Sequence, residues 1–156
     1  MKYKILIIIG FLIHILIFTQ SLLPGSVSSN QSGFIVDTLY PLVSSVGINI
    51  SVNSFSFIIR KAAHFTEFFL LGLVWYVIYS KYFNKIKLVV IVLTHGLLTA
   101  ILDESIQLFV SGRSGEIRDV LIDFSGVLSG VLIIYFNNLI LNKRTKNLNW
   151  IKNDGG

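Results

Sequence analysis

Arg60, Lys61, His64 and Glu67 stand at the head of a long apolar run, where a membrane helix ordinarily tolerates no ionisable group. A charged side chain inside a bilayer costs roughly 2.5–3.5 kcal/mol even on lenient insertion scales, so such residues require partners and mark functional sites by default. Partners are present downstream. Asp103, Glu104 and Gln107 close a second apolar run, Arg113 follows it, and Asp119 and Asp123 open a third. Arg60, His64 and Glu67 have i, i+4, i+7 spacing and share a helix face, with Lys61 about 100° round it. Asp103 and Gln107 are one turn apart, as are Asp119 and Asp123.

These residue types fit three chemistries. His64, Glu67, Asp103, Glu104, Asp119 and Asp123 could hold a divalent cation, as carboxylate and imidazole sets do between helices. The same cluster, with Arg60, Lys61 and Arg113 as donors, suits recognition of a charged lipid headgroup or phosphate. A catalytic version would use Glu67 or Asp103 as general base, His64 as acid or base, and the three cations to stabilise anionic oxygens. The plain alternative is a buried ion network that fixes helix register, in which Arg118 could also neutralise a carboxylate.

The elements that position these groups follow from composition. The 156 residues are 53% hydrophobic and only 13% charged, with a mean hydropathy of +0.74, whereas soluble domains carry about 25% charged residues. The absence of cysteine excludes disulfides, thiolate metal sites and a cysteine nucleophile. The net charge of +5 does not point to nucleic acid, because the basic residues flank apolar runs and form no separate basic domain. Four stretches suffice to cross a hydrocarbon core, which takes about 20 residues of helix: 5–23, 57–79, 88–110 and 120–141. The sequence therefore predicts an all-α membrane protein, a four-helix transmembrane bundle occupying residues 1–142, followed by a basic tail over 143–156.

Lys2 and Lys4, then Lys81, Lys85 and Lys87, then Lys143, Arg144 and Lys146 mark one side of the membrane. The positive-inside bias puts both termini in the cytoplasm. The polar ends of the second, third and fourth spans then meet at one depth near the outer face. The first span also has the basic start of a secretory signal peptide, but no small-x-small cleavage pattern follows Gln20, and it reads as a span. In the 24–56 connection, the apolar residues between Phe34 and Val43 admit a short interfacial helix. His14 and His95 stand apart from the cluster and read as hydrogen-bonded structural histidines. Gly126 and Gly130, like Ser125 and Ser129, read as a close helix-packing face.

The strings Arg60-Lys61-Ala-Ala-His64-Phe-Thr-Glu67-Phe68, Asp103-Glu104-Ser-Ile-Gln107-Leu-Phe109-Val-Ser-Gly112-Arg113 and Asp119-Val-Leu-Ile-Asp123-Phe-Ser-Gly126 resemble the VanZ-like family of bacterial membrane proteins. The resemblance runs in order and spacing from the first span to the fourth. It implies a small multi-pass protein of the bacterial cytoplasmic membrane, related to proteins associated with low-level resistance to the glycopeptide teicoplanin. The resulting expectation is an outer-leaflet pocket formed by Arg60, Lys61, His64, Glu67, Asp103, Glu104, Gln107, Arg113, Asp119 and Asp123. Its partner would be a membrane lipid, a lipid-linked envelope precursor or a lipoglycopeptide. The alternative is a membrane-embedded enzyme acting on a lipid-linked phosphate or glycan. A transporter is disfavoured by the lack of repeats and broken helices. Oligomeric state and any required metal stay open.

Overall fold

The computed structural model describes residues 2–154, with side chains from Tyr3 to Leu141. Its elements are α1 (Lys2–Leu22), α2 (Gly25–Ser45), α3 (Val52–Tyr79), α4 (Lys85–Gln107) and α5 (Ile117–Asp154). Among the described residues every element is helical, and four helices are long and apolar enough to cross a membrane: α1, α3, α4 and α5, the last as far as Leu141. The helical backbone of α5 continues through 142–154, so the basic tail extends the fourth helix; the side chains of that tail lie outside the described residues.

Phe68, Leu71, Trp75 and Tyr76 of α3 form the core with Ile17 of α1, Val92 and Ala100 of α4, and Val127 and Val131 of α5. The most extensive contact is between α3 and α5. Glycine makes it close: a Cβ at Gly126 would sit 2.5 Å from the carbonyl oxygen of Phe65, and one at Gly130 would sit 2.6 Å from that of Phe69. The reverse holds at Gly72, where a Cβ would come within 2.6 Å of Val127 O. Without lipid-excluded water to drive association, backbone approach of this kind supplies the van der Waals contact that holds membrane helices together.

The 24–56 connection is more ordered than its Ser- and Asn-rich composition suggests. A helix of 21 residues begins at Gly25, nine positions before the apolar stretch that the sequence marks. Serine is a mediocre helix former, and tertiary contacts override that preference here. Gly25 N–H donates to Ser111 O at 3.0 Å, fixing the start of α2 against the loop between α4 and α5. A Cβ at Gly25 would collide with Gly112 O, and Gly112 itself has φ +73°, so both positions demand glycine. Ser32 and Val36 are buried where α2 packs on α3. Gly47, at φ +83°, turns the chain toward α3, whose N-terminus is capped by Ser51 Oγ accepting from Ser54 N–H at 3.2 Å.

Candidate functional site

The C-terminal ends of α1 and α4 and the N-terminal ends of α3 and α5 meet at one end of the bundle. Asp103, in the last turns of α4, is 0% exposed and accepts from Ser21 Oγ of α1 through Oδ1. Gln107, one turn on, donates its amide N–H groups to Asp103 Oδ2 at 2.9 Å and to Glu104 Oε1 at 3.0 Å. The other carboxylate oxygen of Glu104 accepts from Glu116 N–H at 3.0 Å, tying α4 to the segment that leads into α5.

Arg113 knits this end together. Its Nε donates to Leu23 O at 3.2 Å, Nη2 to Gln20 O at 2.5 Å and Nη1 to Gln107 Oε1 at 3.3 Å. Three of the five donors of a guanidinium are thereby spent on holding α1 against α4. Lys61 of α3 forms an ion pair with Asp119 of α5. Arg118 stays outside the cluster: its side chain is 85% exposed and pairs with Glu116 at 2.9 Å.

His64 stands between two carboxylates, with Nδ1 3.9 Å from Asp103 Oδ2 and 3.7 Å from Asp123 Oδ1. One potential ligand atom from each of the three lies within 4.8 Å of the others. Of the six candidate cation ligands, this triangle gathers His64, Asp103 and Asp123. Glu104 and Asp119 are engaged elsewhere. Glu67 lines a neighbouring hollow.

Two adjoining hollows open beside the triangle. One, of about 250 Å³, is lined by Gln20 of α1, by Ser28, Gln31, Ser32 and Ile35 of α2, by Arg60, His64 and Glu67 of α3, and by Arg113. The other, of about 270 Å³, is lined by Ser28, Arg60, Lys61, His64, Gln107, Arg113, Glu116 and Asp119, among others. Ser28, Arg60, His64 and Arg113 border both. Arg60 Nε is buried with no hydrogen-bond acceptor among the described residues. A larger hollow, of about 550 Å³, lies at the opposite end against Tyr76, Asn84, Lys85 and Tyr135. It contains one charged lining residue, so size does not mark the site here.

His14 and His95 are not isolated. Their rings stack 5.0 Å apart and their Nε2 atoms lie 3.1 Å from each other, across the middle of the bundle. His14 Nδ1 must donate to Gly10 O, 2.9 Å away, because a carbonyl can only accept. A single proton between the two Nε2 atoms then belongs to His95, leaving His95 Nδ1 to accept from Tyr79 O–H at 3.4 Å. These tautomers follow from the network. Both remain structural histidines, now with identified partners.

The spacing pattern captured the contributions of α3, α4 and α5 but missed α1 and α2. Ser21 and Gln20 end the first span on the same side as the other polar ends, which is the signal that could have found them. The carbonyl oxygens of Gln20 and Leu23 carry no sequence signature at all. Ser28, Gln31 and Ser32 were hidden in a stretch whose polarity reads as a loop.

An apolar helical bundle with four candidate spans and an ionisable cluster buried at one end defines a multi-pass membrane protein. A sequence model of the VanZ/LLP1 family matches residues 5–141, and the chain belongs to that family. No curated protein and no solved structure matches it.

Proposed function

We propose that this VanZ-like membrane protein binds the anionic headgroup of a membrane lipid, a lipid-linked envelope precursor or an acylated compound in the paired hollows. The polar end faces the outer leaflet of the bacterial cytoplasmic membrane, as the lysine distribution favours. By occupying or presenting such a lipid, the protein contributes to teicoplanin resistance, the role the family resemblance supports.

Arg60 carries this reading. A buried guanidinium nitrogen without an acceptor is costly, and this one stands where the two hollows meet. An anionic oxygen there would accept from it, and Arg113 has two N–H groups left for the same task. Lys61 is a weaker donor because Asp119 already holds it.

Protein reconstituted in phosphatidylcholine nanodiscs, titrated with short-chain phosphatidylglycerol, tests the proposal. Binding should saturate, and Arg60→Met should weaken it about 100-fold, the equivalent of about 2.7 kcal/mol. In cells, deletion should raise teicoplanin susceptibility, and Arg60→Met should fail to restore resistance. Equal, non-saturating uptake by both proteins would refute the pocket.

A hydrolytic reading draws on one further feature, that Glu67 and His64 line the same hollow as Arg60. Under it, cells with and without the protein would differ in a covalently altered lipid or wall precursor. Unchanged precursor chemistry with altered drug binding would leave the binding role.

A further inference from the structure

Asp123 is the least satisfied group in the described structure. Its side chain is 1% exposed, and neither carboxylate oxygen has a hydrogen-bond partner. A buried carboxylate in that condition calls for a water or an ion. Its surroundings point to the ion. Lys61 is committed to Asp119, and Arg113 spends three of its five donors on Gln107 and two backbone carbonyls. Among the described residues the one basic group within 4 Å of Asp123 is His64, with Nδ1 at 3.7 Å, and it also faces Asp103 at 3.9 Å. His64 makes no hydrogen bond of its own among the described residues.

Charge balance agrees. Arg60, Lys61 and Arg113 face five carboxylates, those of Glu67, Asp103, Glu104, Asp119 and Asp123. With all of them ionised, the cluster lacks two positive charges; Arg60 and Arg113 line the two hollows, which Asp103 and Asp123 do not border. Polarised N–H and O–H donors from Ser21 and Gln107 soften Asp103 but supply no charge.

We propose that His64 Nδ1, Asp103 Oδ2 and Asp123 Oδ1 bind a divalent transition-metal cation of the zinc type. Donors held about 2.0–2.2 Å from a tetrahedral Zn²⁺ lie roughly 3.4 Å apart. The observed separations of 3.7 and 3.9 Å close onto such an ion with small side-chain movements. The imidazole favours zinc over magnesium or calcium, which prefer oxygen ligands alone. Three helices would then be pinned at one point, α3 by His64, α4 by Asp103 and α5 by Asp123. Because His64 also borders both hollows, a headgroup seated there would lie beside the ion. The metal site stands whether or not such a headgroup binds.

The test uses full-length protein in detergent, stripped with a chelator, titrated with Zn²⁺ alone and examined by metal analysis and thermal unfolding. The expected result is one zinc per chain with a raised melting temperature. Asp123→Asn and His64→Gln should bind at least about tenfold more weakly, whereas Asp37→Asn, exposed on α2, should bind as the parent does. X-ray absorption of the zinc-loaded parent requires no variant to fold, and should show one imidazole nitrogen with carboxylate oxygens. Absence of stoichiometric zinc, undiminished binding by both variants, or a shell of two imidazoles would overturn the proposal. The last outcome would place the ion at His14 and His95, since the chain has three histidines.

Discussion

The bundle holds two polar clusters, and they differ in what they leave undone. At mid-bundle, His14, His95, Tyr79 and Gly10 form a directional chain in which each proton has an acceptor. The unpartnered atom beside it, Trp75 Nε1, is a neutral donor. At the polar end, the unpartnered atoms belong to ionisable groups, Arg60 Nε and both oxygens of Asp123, and open hollows adjoin them. Both clusters place polar side chains among apolar helices. Only the second combines unmet demand with access, and the binding proposal rests on that combination.

The largest expected effect tests the fastening between the two halves of the polar end. Arg113→Met strands Leu23 O and Gln107 Oε1, leaves Gln20 O with only its bond from Leu23 N–H, and should cost about 4 kcal/mol of stability. Equilibrium unfolding in mixed micelles would measure it. A loss below about 1 kcal/mol would mean that these carbonyls find water and that the end is looser than its hydrogen bonds indicate.

Arg60→Met should behave in the opposite sense. Headgroup binding should fall about 100-fold while stability changes by less than about 1 kcal/mol, because the removed Nε had no partner to lose. Parallel titration and melting would show it, and a variant that melts far below the parent would class Arg60 with the structural groups.

For the mid-bundle pair, His95→Phe leaves Tyr79 O–H without its partner and His14 Nε2 with only Thr99 Oγ1 at 3.4 Å, and should cost about 2 kcal/mol, with headgroup binding within twofold of the parent. Adding His14→Phe should recover part of that loss, since removing both partners of a buried bond is far less costly than removing one. Strict additivity in the double-mutant cycle would contradict the bond.

Lys61→Met should show the smallest effect, about 1 kcal/mol or less. Its ammonium and Asp119 both keep some contact with solvent, which screens the pair. A larger drop, read by the same unfolding assay, would place this pair with the buried network instead.

Much of the polar end was legible because charge in an apolar run is conspicuous. The turn spacing of Arg60, His64 and Glu67, and of Asp103 with Gln107, carried the faces correctly, and positive-inside counting suggested which ends would meet. Partner choice was not legible. Arg113 looked like a free fork for an anion, yet two of its five donors go to backbone oxygens that no alphabet records. His14 and His95 looked solitary because 81 residues separate them and neither has an ionisable neighbour. The helix over Gly25–Ser45 was underread because its serines argue locally for a loop, while the contacts that favour the helix come from α3 and from Ser111.

The glycine face between α3 and α5 also constrains traffic. Where Gly126 and Gly130 abut the carbonyls of Phe65 and Phe69, there is no room for a single added carbon, still less an acyl chain. A lipid tail therefore cannot slide into the hollows through that seam. The hollow of about 250 Å³ is walled by α2, whose first residue is held against Gly112 and whose Ser28, Gln31 and Ser32 line the cavity. That seam is thus closed to a tail, and the helix that looks like a mere connection forms one wall of the hollow that Arg60 and Arg113 border.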